Sequence, residues 1–473
     1  MKDTINPQLI TMQYAVRGPM VIRALEIEKE LRRGIKKPFK SVIKANVGDA
    51  HAMGQHPITF NRQLITCVAD PALMRTVHFP SDVVQRANAV LHSCAGGDCG
   101  AYSQSVGLEI IRKHVADFIS KRDGFPCDYE NVILSNGASE AIRNVLKMFI
   151  RHDTDKKTGV MVPIPQYPLY SATIEEFGLG EVGYYLDEEK NWALLEEELE
   201  RAYNEGLKNC DTKVMVVINP GNPTGQVLSH ENIETIIKFA HRHKLFLMAD
   251  EVYQNNIYAE GLKFHSFKKV LNEMGAPYNK MELASFNSAS KGFMGECGMR
   301  GGYVELFNID PEVFMLFKKM ISAKLCAGIL GQVIVDALVN PPKPGDPSYN
   351  LWMKERTEIL QSFKERAKLV KEAYASMKGI SCNEVQGALY AFPKVKLPKR
   401  AIDEARLLNQ EPDFFYAMQL LEATGVCVIP GSGFGQKEGT YHFRTTILPQ
   451  TDTMKDMLKR FKDFHEKFMK QYG

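Results

Sequence analysis

A chain of 473 residues with 44% hydrophobic side chains carries enough apolar surface for a large core divided between two domains. Its 59 basic and 56 acidic residues nearly cancel to leave +3, which removes any bulk electrostatic drive toward nucleic acid or a membrane surface. No uninterrupted apolar run approaches the ~20 residues of a membrane helix, and Met1-Lys-Asp-Thr-Ile-Asn6 shows neither a signal pattern nor Arg-rich transit character.

The first helix is expected to begin at Gly18-Pro19, since proline suits the first helical turn, and to end at Gly34. Val21, Leu25, Glu28 and Leu31 run down one side, so the helix is only partly apolar and is expected to lie over another surface. From about residue 105 helices and strands alternate. Residues 110–119 read as a helix, 132–134 as a short strand, and 139–150 as a helix with Ile142, Val145, Leu146 and Phe149 on one face. Apolar strands follow at 160–164, 214–218, 245–249, 283–286 and 302–306. Strands that are apolar throughout are covered on both faces. The pattern therefore predicts an α/β fold with a largely parallel sheet, whose ligands sit beyond the carboxyl ends of the strands.

Pro341-Pro-Lys-Pro-Gly-Asp-Pro347 interrupts the pattern as a domain boundary. Beyond it come a long helix over 351–378 and strands at 388–392, 426–429 and 441–447. In the last helix Met454, Met457, Leu458, Phe461, Phe464 and Phe468 recur at helical spacing, a core stripe. The nine cysteines are scattered without a Cys-x-x-Cys pair, Cys94 and Cys99 being the nearest two. They read as reduced thiols of a cytoplasmic protein.

Lys291 follows an apolar strand within Ser288-Ala-Ser-Lys291. A free lysine has a pKa of ~10.4 and becomes a nucleophile only where its surroundings lower that value. Arg300 and a phosphate-filled pocket are expected to do so. Ser288, Ser290 and Arg300 form one side of a phosphate cup. Gly137-Ala138-Ser139 lies at a strand-to-helix turn and offers backbone amides and a helix N-terminus to the same anion. Ser139 suits a plain N-cap equally well. Asp250 ends a strand, where a buried carboxylate needs a partner; a pyridinium nitrogen supplies one, and a helix N-cap is the plain alternative. Tyr253 and Asn222, the latter in Asn219-Pro-Gly-Asn-Pro-Thr-Gly225, suit hydrogen bonds to a ring oxygen. Tyr167 suits stacking on the ring, with core packing as its alternative. Together these groups read as a pyridoxal 5'-phosphate site. Arg444, inside an apolar strand, suits a bidentate grip on a substrate carboxylate, with a backbone contact from Gly48.

Other patterns fail on context. Gly178-Leu-Gly-Glu-Val-Gly183 matches a dinucleotide fingerprint but follows a helix and leads into a strand. Ser288-x-x-Lys291 with Lys157-Thr-Gly159 is similar to penicillin-binding enzymes only in reversed order, and no Ser-Asp-Asn accompanies it. His241 and His243 lack further ligands for a metal.

The chain resembles the fold-type I pyridoxal-phosphate aminotransferases, and more closely the alanine aminotransferase family, from about Tyr14 to the C-terminus. The likeness stands in Tyr14-Ala-Val-Arg-Gly-Pro19, Ile164-Pro-Gln-Tyr-Pro-Leu-Tyr170, Asn219-Pro-Gly-Asn-Pro-Thr-Gly-Gln226, Ala249-Asp-Glu-Val-Tyr-Gln254, Ser290-Lys-Gly-Phe-Met-Gly-Glu-Cys-Gly298, Pro430-Gly-Ser-Gly-Phe-Gly435 and Gly439-Thr-Tyr-His-Phe-Arg444. It implies a large domain with a mostly parallel seven-stranded sheet sandwiched by helices, plus a smaller α+β domain. Residues 1–62 would form an N-terminal arm and part of the small domain, 63–340 the large cofactor domain, and 341–473 the C-terminal small domain.

By the same resemblance Lys291 carries the cofactor, Asp250 pairs with the pyridine nitrogen, Asn222 and Tyr253 hold the ring oxygen, and Tyr167 stacks on the ring. Ala138, Ser139, Ser288, Ser290 and Arg300 bind phosphate, while Arg444, Asn222 and Gly48 take the substrate α-carboxylate. Tyr102 is similar to the tyrosine that reaches the neighbouring subunit's phosphate in such homodimers. Val106 and Phe293 depart from the family, which usually has glutamine and tyrosine there. The implied reaction is reversible, ping-pong transfer from L-alanine to 2-oxoglutarate. One site must then accept both a methyl and a carboxyethyl group, and Arg17 is a candidate second cation. The rivals are an aminotransferase with another donor or acceptor such as glyoxylate, a lyase on the same fold, and a cofactor-binding regulator. The last would need an appended nucleic-acid-binding domain.

Overall fold

Residues 4–14 and 18–473 are described by the computed structural model. Strands β1 (Val132–Ser135), β2 (Lys157–Ile164), β3 (Gly180–Tyr185), β4 (Cys210–Ile218), β5 (Phe246–Asp250), β6 (Leu283–Ser288) and β7 (Gly302–Phe307) form one sheet. Their order is β1-β7-β6-β5-β4-β2-β3. β7 runs antiparallel to both neighbours, pairing Val132 with Glu305 and Leu283 with Phe307; the other pairs are parallel.

Alternation along each strand sends side chains to both faces. In β4, Val214, Val216 and Ile218 join a cluster with Ile142 and Val145 of the helix Ala138–Lys147. Met215 and Val217 point the other way, onto Ile233, Ile236 and Ile237 of the helix His230–Arg242. Ser229 caps that helix by accepting from the Asn232 amide at 3.1 Å. Helices thus cover the sheet on both sides, and its carboxyl edge is the open one.

Smaller strands follow: β8 (Ile380–Ser381), β9 (Tyr390–Ala391), β10 (Lys394–Val395), β11 (Ile429–Pro430) and β12 (Phe443–Thr446). They form a three-stranded sheet β11-β12-β9 and a pair β10-β8, backed by the helices Tyr349–Ala375 and Thr451–Tyr472. All six residues of the expected terminal-helix stripe, Met454 to Phe468, are buried there. An early segment returns to this unit: Ile43 bridges Val426, and the Thr446 amide donates to Ala45 O at 2.9 Å. The proline-rich segment 341–347 connects the helices Ile329–Val339 and Tyr349–Ala375.

The first long helix is Pro19–Arg32, with Met20, Ala24 and Ile27 buried. Leu25, on the side expected to lie over another surface, is 45% exposed. Glu28, expected on the same side, pairs with Lys44 at 3.0 Å. The buried stripe, Met20, Ala24 and Ile27, lies one position before the expected one. His243 is occupied by Glu200 at 3.1 Å and by the Tyr203 ring, while His241 lies edge-on to Tyr278. The Gly178–Gly183 run enters β3 as a strand, and all nine thiols are free.

Candidate active site

Five strand ends deliver the pocket. β1 leads to Ala138 and Ser139, β2 to Tyr167, β4 to Asn222, β5 ends on Asp250 and continues to Tyr253, and β6 leads to Ser288, Ser290 and Lys291. Arg444 arrives on β12 and Gly48 from the early segment, so a cavity of about 460 Å³ is lined both by residues beyond the large sheet's strand ends and by Tyr390 and Arg444 of the three-stranded sheet.

Ala138 begins its helix, with Gly137 as N-cap at φ 83°, a backbone that only glycine adopts readily. A Cβ on Gly137 would stand 2.3 Å from Arg300 Nη2, so the glycine also makes room for that guanidinium. Arg300 is held by Cys297 O at 3.0 Å and Asn136 O at 3.1 Å, at the mouth of this helix N-terminus. The expectation of Ser139 as N-cap is corrected: it lies inside the first turn and faces the pocket. Asp250 is likewise no helix cap; it is the last residue of β5.

Asp250 is buried, and its carboxylate accepts from Tyr170 OH at 3.0 Å and from the Val252 amide at 3.4 Å. Burial raises its pKa to about 6, which the Tyr170 hydrogen bond only partly offsets. Asn222 Nδ2 lies 3.5 Å from Tyr253 OH, and Tyr253 OH lies 3.4 Å from Tyr390 OH. Arg444 donates from Nη1 to Asn222 Oδ1 at 3.1 Å and from Nη2 to Asn46 O at 2.7 Å, with its guanidinium 4.2 Å from the Tyr390 ring centroid. Its Nε is buried without a partner.

Lys291 Nζ donates to Gly48 O at 3.0 Å. Burial pushes the lysine pKa down, but the Tyr390 phenol, the Cys297 thiol and Asp49 outweigh it, so the net direction is upward. Among the chain's own groups, the nearby phenol stabilises the ammonium. The Tyr390 phenol moves the other way: burial alone would raise its pKa, and the Lys291 and Arg444 charges bring it below the ordinary value.

Tyr170, Tyr390, Tyr14 and Cys297 were not singled out by sequence reasoning. Tyr170 lies one turn beyond Tyr167 in the same motif, the only signal available for it. Tyr390 sits in an apolar strand and reads as core. Cys297 Sγ is 3.1 Å from Ser290 O at the pocket wall. Tyr102 is not brought to this pocket: it is 72% exposed and lines a separate surface cleft. Val106 is buried in the core, and Phe293 packs edge-on to Trp352 at 6.1 Å; neither lines the pocket. Arg17 lies outside the described residues.

The donor set fits pyridoxal phosphate on three counts. An anion cradle stands at a helix N-terminus, a buried carboxylate accepts hydrogen bonds but forms no ion pair among the described residues, and a buried arginine keeps an unused N–H. Fold and pocket together define the class, a fold-type I pyridoxal-phosphate-dependent enzyme.

The family described as aminotransferase class I and II matches residues 67–461. Alanine aminotransferase 2 of Xenopus laevis is 55% identical over 473 residues, spanning 100% of this chain and 88% of that one. Alanine aminotransferase 1 of Homo sapiens is 52% identical over 100% of this chain and 95% of its own. Among solved structures, the alanine aminotransferase from Pyrococcus furiosus gives a TM-score of 0.76 at 23% identity, covering 98% of this chain and 100% of that one, a likeness of fold. The chain belongs to the class I and II aminotransferase family.

Proposed function

We propose that this protein is an alanine aminotransferase that converts L-alanine and 2-oxoglutarate to pyruvate and L-glutamate, reversibly, in two ping-pong half-reactions. The observation that carries the reading is full-length identity above half to proteins of that name. Pyridoxal phosphate, when bound, supplies an electron-withdrawing ring that takes up the electron pair released at the substrate Cα. Lys291 would hold the cofactor, and its amine would be the group that takes up the proton from the substrate Cα. Asp250 keeps the ring nitrogen protonated, Asn222 and Tyr253 hold the ring oxygen, and Tyr167 packs on the ring. Ala138, Ser139, Ser288, Ser290 and Arg300 hold the phosphate. Arg444 fixes the α-carboxylate with Asn222 and Gly48, which aligns the Cα–H bond.

In this reading residues 63–340 form the cofactor domain, with 1–62 and 341–473 supplying the arm and the small domain. A homodimer brings Tyr102 to the neighbouring phosphate. Free thiols throughout suit the reducing cytoplasm. The test is pyruvate formation from L-alanine with and without 2-oxoglutarate, in wild type and in Lys291→Ala. Acceptor-dependent pyruvate that disappears in the variant is expected. Without acceptor, wild type is expected to release no more than the single pyruvate per site of the first half-reaction; sustained turnover of an amino acid carrying a leaving group at Cβ, with no keto acid present, would instead mark a lyase.

A further inference from the structure

A transfer between alanine and 2-oxoglutarate asks one pocket to hold a methyl group in one half-reaction and a carboxyethyl group in the other. Among the described residues, the cations lining the pocket are Lys291, Arg300 and Arg444. Each is committed in the proposed function above: Lys291 to the cofactor, Arg300 to the phosphate cradle, Arg444 to the α-carboxylate. Among the described residues, the distal carboxylate is left to neutral donors.

Tyr14 is such a donor. It reaches the pocket from the N-terminal arm, and its hydroxyl lies 3.3 Å from the hydroxyl of Tyr167. Two phenols carry two O–H protons, and the bond between them uses one. The other remains free for an acceptor. Such a pair suits both substrates. When a methyl group occupies the space, the hydroxyls satisfy each other; when a carboxylate enters, they turn to it. An arginine at this place would be left as an unpaired buried charge in every alanine half-reaction, a far costlier state.

The arm is anchored for this role. Its turn Gln8–Thr11 lies against the helix Leu169–Glu176, which directly follows Tyr167. Asn6 Nδ2 donates to Glu176 O at 3.3 Å, and the Thr11 hydroxyl donates to the Glu175 carboxylate. The same helix therefore positions both phenols.

We propose that Tyr14, paired with Tyr167, is the specificity-determining residue that recognises the distal carboxylate of the five-carbon substrates. The proposal rests on the alanine aminotransferase reading, and steady-state kinetics of the holoenzyme with all four substrates separates the two. In Tyr14→Phe, the KM values of glutamate and 2-oxoglutarate are expected to rise about tenfold relative to those of alanine and pyruvate, the scale of one hydrogen bond to a charged group. The cofactor absorption spectrum is expected to stay as in wild type. Thr11→Val, which loosens the arm outside the pocket, is expected to shift the same ratio by less. Equal changes for all four substrates, or an unchanged ratio, would overturn the proposal. So would a selective five-carbon defect found in Arg17→Gln but absent from Tyr14→Phe. A wild-type enzyme that forms no glutamate from alanine and 2-oxoglutarate would overturn the functional reading itself.

Discussion

With its carboxylate buried, Asp250 has a pKa raised from 3.8 to about 6. Without cofactor the folded chain therefore holds this proton more tightly than the unfolded chain does. The resulting penalty on stability is absent below pH ~4, grows through the window to pH ~6, and is complete above it. Asp250→Asn, measured by urea unfolding of the cofactor-free protein, is expected to be more stable than wild type at pH 7. That advantage should vanish toward pH 4. In the holoenzyme the same substitution is expected to lower kcat at least a hundredfold, because the ring nitrogen loses its anion. Lys291, Asp250, Asn222, Tyr253 and Arg444 could be found in the sequence because polar residues in or just past apolar strands have few other reasons to be there. Tyr170 and Tyr390 could not. An aromatic residue inside an apolar run looks like core until the crossing of elements shows its hydroxyl meeting a carboxylate or a second phenol.

At the scale of elements, the turn from β1 into the helix Ala138–Lys147 depends on one backbone conformation. Gly137→Ala places a Cβ against Arg300 and demands a left-handed φ, so cofactor affinity is expected to fall about tenfold, as read by fluorescence titration. Beneath the sheet, Lys268 and Glu305 form an ion pair with each side chain 1% exposed, and Cys127 Sγ also lies 3.0 Å from Glu305. Lys268→Met is expected to cost about 3–5 kcal/mol in chemical unfolding by stranding the glutamate. Strand positions were legible because buried parallel strands are apolar throughout, and their period needs no face assignment. The helix Pro19–Arg32 was harder: the small Ala24 is buried, whereas the larger Leu25 beside it is exposed. A hydrophobic pattern weighted by size turns toward the wrong side there.

For the whole molecule, the exposed Tyr102 makes sense in the proposed homodimer, where it would serve the other subunit's cofactor. Sedimentation of the holoenzyme is expected to report twice the chain mass. Tyr102→Phe is expected to keep that mass while weakening cofactor retention about tenfold. That residue's destination was invisible to periodicity, since nothing within one chain accounts for a phenol on its surface.

The order in which the pocket's parts occur along the chain has a consequence for biosynthesis. Gly48 comes early and Arg444 near the end, while β1 has no strand partner until β7, the last of its sheet, has been made. A growing chain therefore leaves β1 unpaired from residue 135 until residue 302 has been made. Arg444 is the last pocket residue to be made, so a chain truncated before it is expected to keep the cofactor-binding residues of the larger sheet and to lack the grip on the substrate carboxylate.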